Sequence, residues 1–271
     1  MRTDATKGET TARPKRIGII GVGEIGRAMV TGLCEGDGDG SGGPPEVFLS
    51  PRGARTSAEL AARYDRVRVC ADNQDVVDRS EVVVVAVRGG DRHEALAGLR
   101  VPGARIVVNV MSGVPNDELS ELLSTDAELV RAIPLPSVRE RRSVTVTYPS
   151  HPVVDALFEG LGGAQPVTDE ADFDVFSALT GTLTAHYGYL ATLTSWAAEQ
   201  GIATDVADRY VRGLFQGVGR ALGDGSRSLD QLAADHETPR GNNERIRTSW
   251  FTPSNAEALR EALDGLLAGL R

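Results

Sequence analysis

RIGIIGVGEIGRAMVTGL, residues 16–33, decides the fold. A short apolar run from Arg16 to Val22 meets G-x-G-x-x-G at Gly21, Gly23 and Gly26, and a helical pattern continues through Leu33. Alone, such glycines say little; between a strand and a helix that open a βαβ unit, they mark a dinucleotide-binding turn. Gly21 permits the tight turn and Gly23 lets a pyrophosphate approach the backbone. Gly26 lets helix and strand pack closely. With Glu24 and Ile25 between them, these residues aim the helix N-terminus at the phosphates.

Outward from this unit, strand-like and helical runs alternate. EVFLS precedes a helix at 56–64, VRVC (67–70) a helix at 72–79, and EVVVVAV (81–87), ARIVVNV (104–110) and AELVRAI (127–133) follow, with a helix at 115–124. Apolar runs without alternation are strands covered on both faces, so the pattern specifies an α/β fold with a mostly parallel, doubly wound sheet. SVTVTY (143–148) and AQPVT (164–168) flank one more short helix. From Asp169 every long segment reads as helix: 170–200, 204–222, 226–236, 241–250 and 254–270. The expected organisation is a disordered leader at 1–15, a doubly wound Rossmann domain at 16–168 that binds NAD(P), and an all-α domain at 169–271. EGDGDGSGGPP (35–45) reads as a flexible surface insert.

Bulk properties narrow the classes of function. A net charge of −9 over 271 residues argues against nucleic acid or an anionic membrane as partner. No apolar run approaches the roughly 18 residues of a membrane span, and the first residues carry no apolar signal core, so a cytoplasmic location is expected. Cys34 and Cys70 make neither a disulfide framework nor a metal cluster and read as reduced core thiols; no metal is expected.

The end of the second strand carries no acid to accept from a ribose 2′-hydroxyl. It reads Leu49-Ser50-Pro51-Arg52-Gly53-Ala54-Arg55. Ser50, Arg52 and Arg55 suit a 2′-phosphate, because guanidinium pairs with phosphate as a fork, and NADP(H) is the expected cofactor. The alternative is a solvated basic turn. By position, Val87 and Arg88 after the fourth strand should lie over the cofactor, and Met111, in Asn109-Val110-Met111-Ser112-Gly113, should face its nicotinamide side.

In the helical half, Thr180, Thr182, Thr184 and His186 are the candidate catalytic residues, with Tyr187 beside them. Thr180 and Thr184 are one turn apart and share a helix face. The competing reading is that the hydroxyls bond back to their own helix and His186 is structural. Thr238, Arg240, Gly241, Asn242 and Asn243 form a polar turn between two helices, a candidate for holding a small-molecule substrate's carboxylate or else a helix cap. Lys7 and Lys15 are the chain's only lysines. A helical-domain lysine, the acid/base of β-hydroxyacid reductases of similar architecture, is therefore missing. A C=N substrate fits better, since a protonated imine is already electrophilic and needs mainly positioning.

Together these motifs resemble the pyrroline-5-carboxylate reductase family over nearly the whole chain after the leader. The matching segments are IGIIGVGEIGRAMVTGL, SPR, VVVVAVR, VVNVMSGV, LVRAIP, ALTGTLTAHY and TPRGNNE. The resemblance implies a Rossmann domain joined to a helical domain through which two subunits dimerise, and reduction of pyrroline-5-carboxylate to proline in proline biosynthesis. It puts Thr180, Gly181 and Thr182 near the substrate, with Thr238, Gly241 and Asn242 by its carboxylate. The chain departs from the family where Lys-Pro becomes Arg88-Gly89, where Asn-Thr within Met-Pro-Asn-Thr-Pro becomes Leu135-Pro136, and where Gly-Gly-Thr-Thr becomes Arg240-Gly241-Asn242-Asn243. The expectation is thus a divergent member: an NADPH-dependent imine reductase acting on pyrroline-5-carboxylate or a related imino acid. The alternatives are an NADP oxidoreductase acting on a ketone or a deazaflavin, and a non-catalytic dinucleotide-binding dimer.

Overall fold

A computed structural model of the chain describes residues 13–36 and 43–271. The expected leader lies outside the described residues up to residue 12, and the expected insert does so from 37 to 42. The opening unit forms as β1 (Arg16–Ile20) and α1 (Glu24–Cys34). Then come β2 (Glu46–Leu49), α2 (Ala54–Arg63), β3 (Val67–Val69), α3 (Asn73–Arg79), β4 (Val82–Val85) and α4 (Arg92–Leu96). The sheet continues with β5 (Ile106–Asn109), α5 (Asn116–Leu123), β6 (Glu128–Ile133), β7 (Thr145–Tyr148), α6 (Pro152–Glu159) and β8 (Ala164–Pro166).

These strands form one sheet in the order β3-β2-β1-β4-β5-β6-β7-β8. Its unbroken apolar strands follow from burial on both faces. Val82 and Val84 of β4 join one core cluster with Ile17, Ile19, Val47 and Leu49. Val83 and Val85 point the other way, into a cluster with Ile20, Phe48 and Val107. β1 lies between β2 and β4, so successive crossovers leave it in opposite directions and a crevice opens at its carboxyl end.

All pairings are parallel except β6 with β7. A parallel return needs a long crossover. The link here holds only a 3-10 turn, Pro136–Glu140, which packs on α1, so β7 comes back antiparallel. Beyond it, Val146, Val167 and Phe173 form a small third cluster. The buried guanidinium of Arg131 lies 4.3 Å from the Phe173 ring centroid and bonds Glu170 at 2.7 Å. Burial raises the Cys34 thiol to about 11 and the Cys70 thiol to about 12, so both free cysteines stay protonated at neutral pH.

The chain divides into two compact units, one ending at Phe173 and one beginning at Asp174. The helix expected over 170–200 is two helices, α7 (Glu170–Thr180) and α8 (Thr182–Glu199). They separate at Gly181, where a Cβ would lie 2.8 Å from Leu266 Cδ2. The second unit continues with α9 (Thr204–Ala221), α10 (Leu229–Asp235), α11 (Asn242–Trp250) and α12 (Pro253–Leu270). Among the described residues no helix is long and apolar enough to cross a membrane.

The first unit's core rests on large side chains such as Phe158 of α6, which is fully buried in the cluster beneath α1. Phe158→Ala removes that ring and leaves a cavity, with an expected cost of about 3–5 kcal/mol. A urea titration followed by circular dichroism checks it: the unfolding midpoint should fall with little change in slope.

Candidate functional site

Each glycine of the phosphate turn has its own reason to be glycine. Gly21 sits at φ +97°, and a Cβ there would come within 2.7 Å of the Ala86 carbonyl and of Val87 N. The turn is thus pressed against the chain leaving β4, where the Ala86 N–H donates to Ile20 O at 2.8 Å. A Cβ on Gly26 would lie 2.3 Å from Gly21 O, so only glycine lets the first turn of α1 sit on the loop. Gly23 has nothing within 4 Å of the place a Cβ would take. It is also the N-cap of α1 and offers no side-chain bond to the helix's first N–H groups. Open space beside uncapped N–H donors is an arrangement that accepts a pyrophosphate. Glu24 is exposed, and Ile25 packs half-buried on the core.

Ser50 holds this turn from the side. Its side chain is fully buried, and Oγ accepts from the Gly21 N–H at 3.1 Å. Ser57 Oγ in turn donates to Ser50 O at 3.0 Å. The hydroxyl expected to meet a 2′-phosphate is thus engaged in tying the end of β2 to the phosphate turn. Arg52 and Arg55 follow at the surface, both in ion pairs. Arg52 Nη2 lies 3.5 Å from Glu94 Oε2, and Arg55 Nε lies 2.9 Å from Glu59 Oε1 in its own helix. A cavity of about 580 Å³ opens beside the turn, lined by Gly23, Glu24, Arg27, Thr56, Arg63 and Arg139 among others. Arg27 and Arg63 drew no notice in the sequence, since they lie well apart along the chain and meet only where α1 and α2 run side by side.

The loops after β4 and β5 meet near the same crevice. Val87 is half-buried, and Arg88 is exposed at the start of a 3-10 turn, Gly89–Asp91. Met111 is buried, its N–H donating to Asn109 Oδ1 at 3.1 Å, while Asn109 Nδ2 donates to Val114 O at 2.9 Å. Asn109 therefore folds the loop that carries Met111. Its place at a strand end was visible in the sequence; this bonding was not.

In the second unit, two of the threonines bond back to carbonyls of the last turn of α7, Thr180 within its own helix and Thr182 from the start of α8. Thr180 Oγ1 donates to Ser177 O at 2.7 Å and Thr182 Oγ1 to Leu179 O at 2.8 Å. With their hydrogens committed, these hydroxyls can offer a ligand only acceptor lone pairs. Thr184 and His186 are exposed, and the His186 ring lies 6.1 Å from that of Phe215 on α9. Tyr189 of α8 stacks on Trp250 of α11 with centroids 5.2 Å apart.

The turn before α11 is internally bonded. The Gly241 N–H donates to Thr238 O at 2.7 Å, and Asn243 Nδ2 donates to His236 O at 2.6 Å. The Arg240 N–H meets the Glu244 carboxylate, and Arg240 takes a left-handed φ of 62°. Arg247 donates to Glu237 and holds that carboxyl below its ordinary range. Thr238, Arg240 and Asn242 are exposed. Among the described residues no group of three or more His, Cys, Asp or Glu side chains could hold a metal.

The family model for NADP oxidoreductase, coenzyme F420-dependent, matches residues 16–113. Pyrroline-5-carboxylate reductase 2 of Bacillus subtilis is 22% identical over 240 residues, covering 85% of this chain and 84% of the relative. The solved structure of a pyrroline-5-carboxylate reductase from Coxiella burnetii superposes with a TM-score of 0.77 at 19% identity, covering 96% of this chain and 98% of that one. A reductive aminase from Aspergillus terreus, solved with NADPH and ethyl levulinate, gives a TM-score of 0.56 at 16% identity over 96% of this chain and 100% of its own.

The turn's geometry makes two glycine substitutions unequal. Gly26→Ala drives a methyl onto Gly21 O and should destabilise by about 1–3 kcal/mol. Gly23→Ala enters open space and should cost under about 1 kcal/mol. Chemical denaturation of both variants against the parent protein measures the difference.

Proposed function

We propose that this chain, a divergent member of the pyrroline-5-carboxylate reductase family, is an NADPH-dependent reductase of pyrroline-5-carboxylate or a closely related cyclic imino acid. One observation carries the reading: a complete phosphate turn with open space at Gly23, in a chain whose only lysines are Lys7 and Lys15. A reductase acting on C=N with a nicotinamide dinucleotide needs the first and does without the second.

The nicotinamide supplies the hydride. The first N–H groups of α1 hold the pyrophosphate, and Arg52 and Arg55 turn from their surface carboxylates to the 2′-phosphate. Val87, Arg88 and Met111 border the ring. Thr180 and Thr182 present acceptor oxygens, which suits a protonated imine N–H, and Thr184 and His186 add further exposed polar groups on α8. The exposed polar groups of Thr238, Arg240, Asn242 and Asn243, with the Gly241 backbone, receive the substrate carboxylate. A positively charged imine needs only a group that orients its N–H and excludes water, so the absence of a lysine in the helical unit is no handicap.

The second unit is the proposed dimerisation domain. Val206, Tyr210, Leu214, Val218 and Leu222 recur at every fourth position along α9 and its end, and all are exposed, as is Trp196. Such an apolar row on one chain supports a homodimer. A second reading, reduction or oxidation of a deazaflavin, draws on the F420-dependent description of the model matching residues 16–113.

The deciding experiment follows NADPH oxidation at 340 nm with pyrroline-5-carboxylate, other cyclic imines, 2-keto acids and a deazaflavin. Turnover with a cyclic imino acid is expected. Tight NADPH binding without turnover on any imine would sink the reading. Gly23→Ala should fold normally yet bind NADPH at least about tenfold more weakly. The double variant Arg52→Ala, Arg55→Ala should lose far more affinity for NADPH than for NADH, read by fluorescence titration; equal losses contradict the cofactor assignment. Leu214→Glu should shift the particle measured by light scattering from dimer to monomer.

A further inference from the structure

Arg52 reaches across the mouth of the crevice. It follows β2, yet its Nη2 lies 3.5 Å from Glu94 Oε2 and 3.9 Å from Asp91 Oδ2, both of which follow β4. Because β2 and β4 flank β1, this contact spans the carboxyl end of β1, where the phosphate turn begins. We propose that Glu94 and Asp91 are specificity-determining residues, which compete with an adenosine 2′-phosphate for the Arg52 guanidinium and so restrain the preference for NADP(H) over NAD(H). The inference rests on the NADP(H) reading above.

Arg52 is about half exposed and Glu94 is 79% exposed, so the pair stands in water and is weak. A phosphate dianion carries more charge than either carboxylate and fits the same guanidinium fork, so it can displace them. Displacement leaves two uncompensated carboxylates beside the incoming phosphate, which repel it. A ribose with a free 2′-hydroxyl carries no charge there and has no need to displace them. Two neighbouring arginines are held elsewhere: Arg92 donates to Glu118 and to Gly89 O, and Arg55 to Glu59. Relieving Arg52 of one carboxylate therefore has a specific consequence. NADPH gains and NADH does not.

Dissociation constants for NADPH and NADH, measured on the full chain by fluorescence titration, test this. Glu94→Gln should raise NADPH affinity about two- to fivefold, the size of an exposed ion pair, and leave NADH unchanged. Adding Asp91→Asn should raise it further, and adding Arg52→Ala should abolish the gain. A Glu94→Gln variant that binds NADPH more weakly, or gains equally for both cofactors, overturns the proposal. Arg52→Ala alone separates the two levels. If it weakens NADPH no more than NADH, the NADP(H) reading falls and the proposal with it. If it weakens NADPH selectively while Glu94→Gln has no effect, the carboxylates alone lose their role.

Discussion

The contact between the phosphate turn and the chain leaving β4 is the constraint on which the first unit depends. A Cβ on Gly21 would collide with the Ala86 carbonyl and Val87 N, one on Gly26 with the Gly21 carbonyl, and buried Ser50 accepts the Gly21 N–H. Three strands therefore meet at one backbone loop, and a side chain at Gly21 or Gly26 would force them apart. The same closeness leaves the first N–H groups of α1 uncapped and turned toward open space at Gly23. Packing and ligand chemistry have one origin here: atoms that are absent.

Electrostatics at the rim are less settled than packing at the centre. The folded chain satisfies both arginines after β2 with carboxylates of its own, one across the crevice and one along the same helix. Exposed pairs of this kind are weak and exchange readily for a stronger anion. Under the proposed NADP(H) reading, cofactor choice would be a difference between two ion pairs, depending on acids as much as on arginines. The acids concerned, Asp91 at the end of the 3-10 turn and Glu94 on the short helix α4, become neighbours of Arg52 only through strand order.

The helical unit obeys another rule. It buries few of its own large side chains and leaves an apolar row along α9 in water, whereas the sheet unit fills clusters on both faces. Its polar groups are busy with each other, as the turn from Glu237 to Glu244 shows, with almost every bond made locally. Local satisfaction pre-shapes a surface without identifying what binds there.

The amino-acid sequence by itself determined the doubly wound sheet, the phosphate turn and the distinct duty of each glycine in it. The sheet follows from apolar periodicity and the turn from glycine spacing at a strand–helix junction, which a linear reading carries. It also fixed the lack of a lysine for acid/base work. Only the tertiary structure decided that Ser50 braces the turn, that Arg52 faces Glu94, that β7 returns antiparallel and that the long helix breaks at Gly181. Each of these joins residues distant along the chain, or depends on which element happens to pass close by, as Leu266 does at Gly181. Spacing encodes local geometry, whereas the partner of a charged or buried polar group is set by strand order, which exists only after folding.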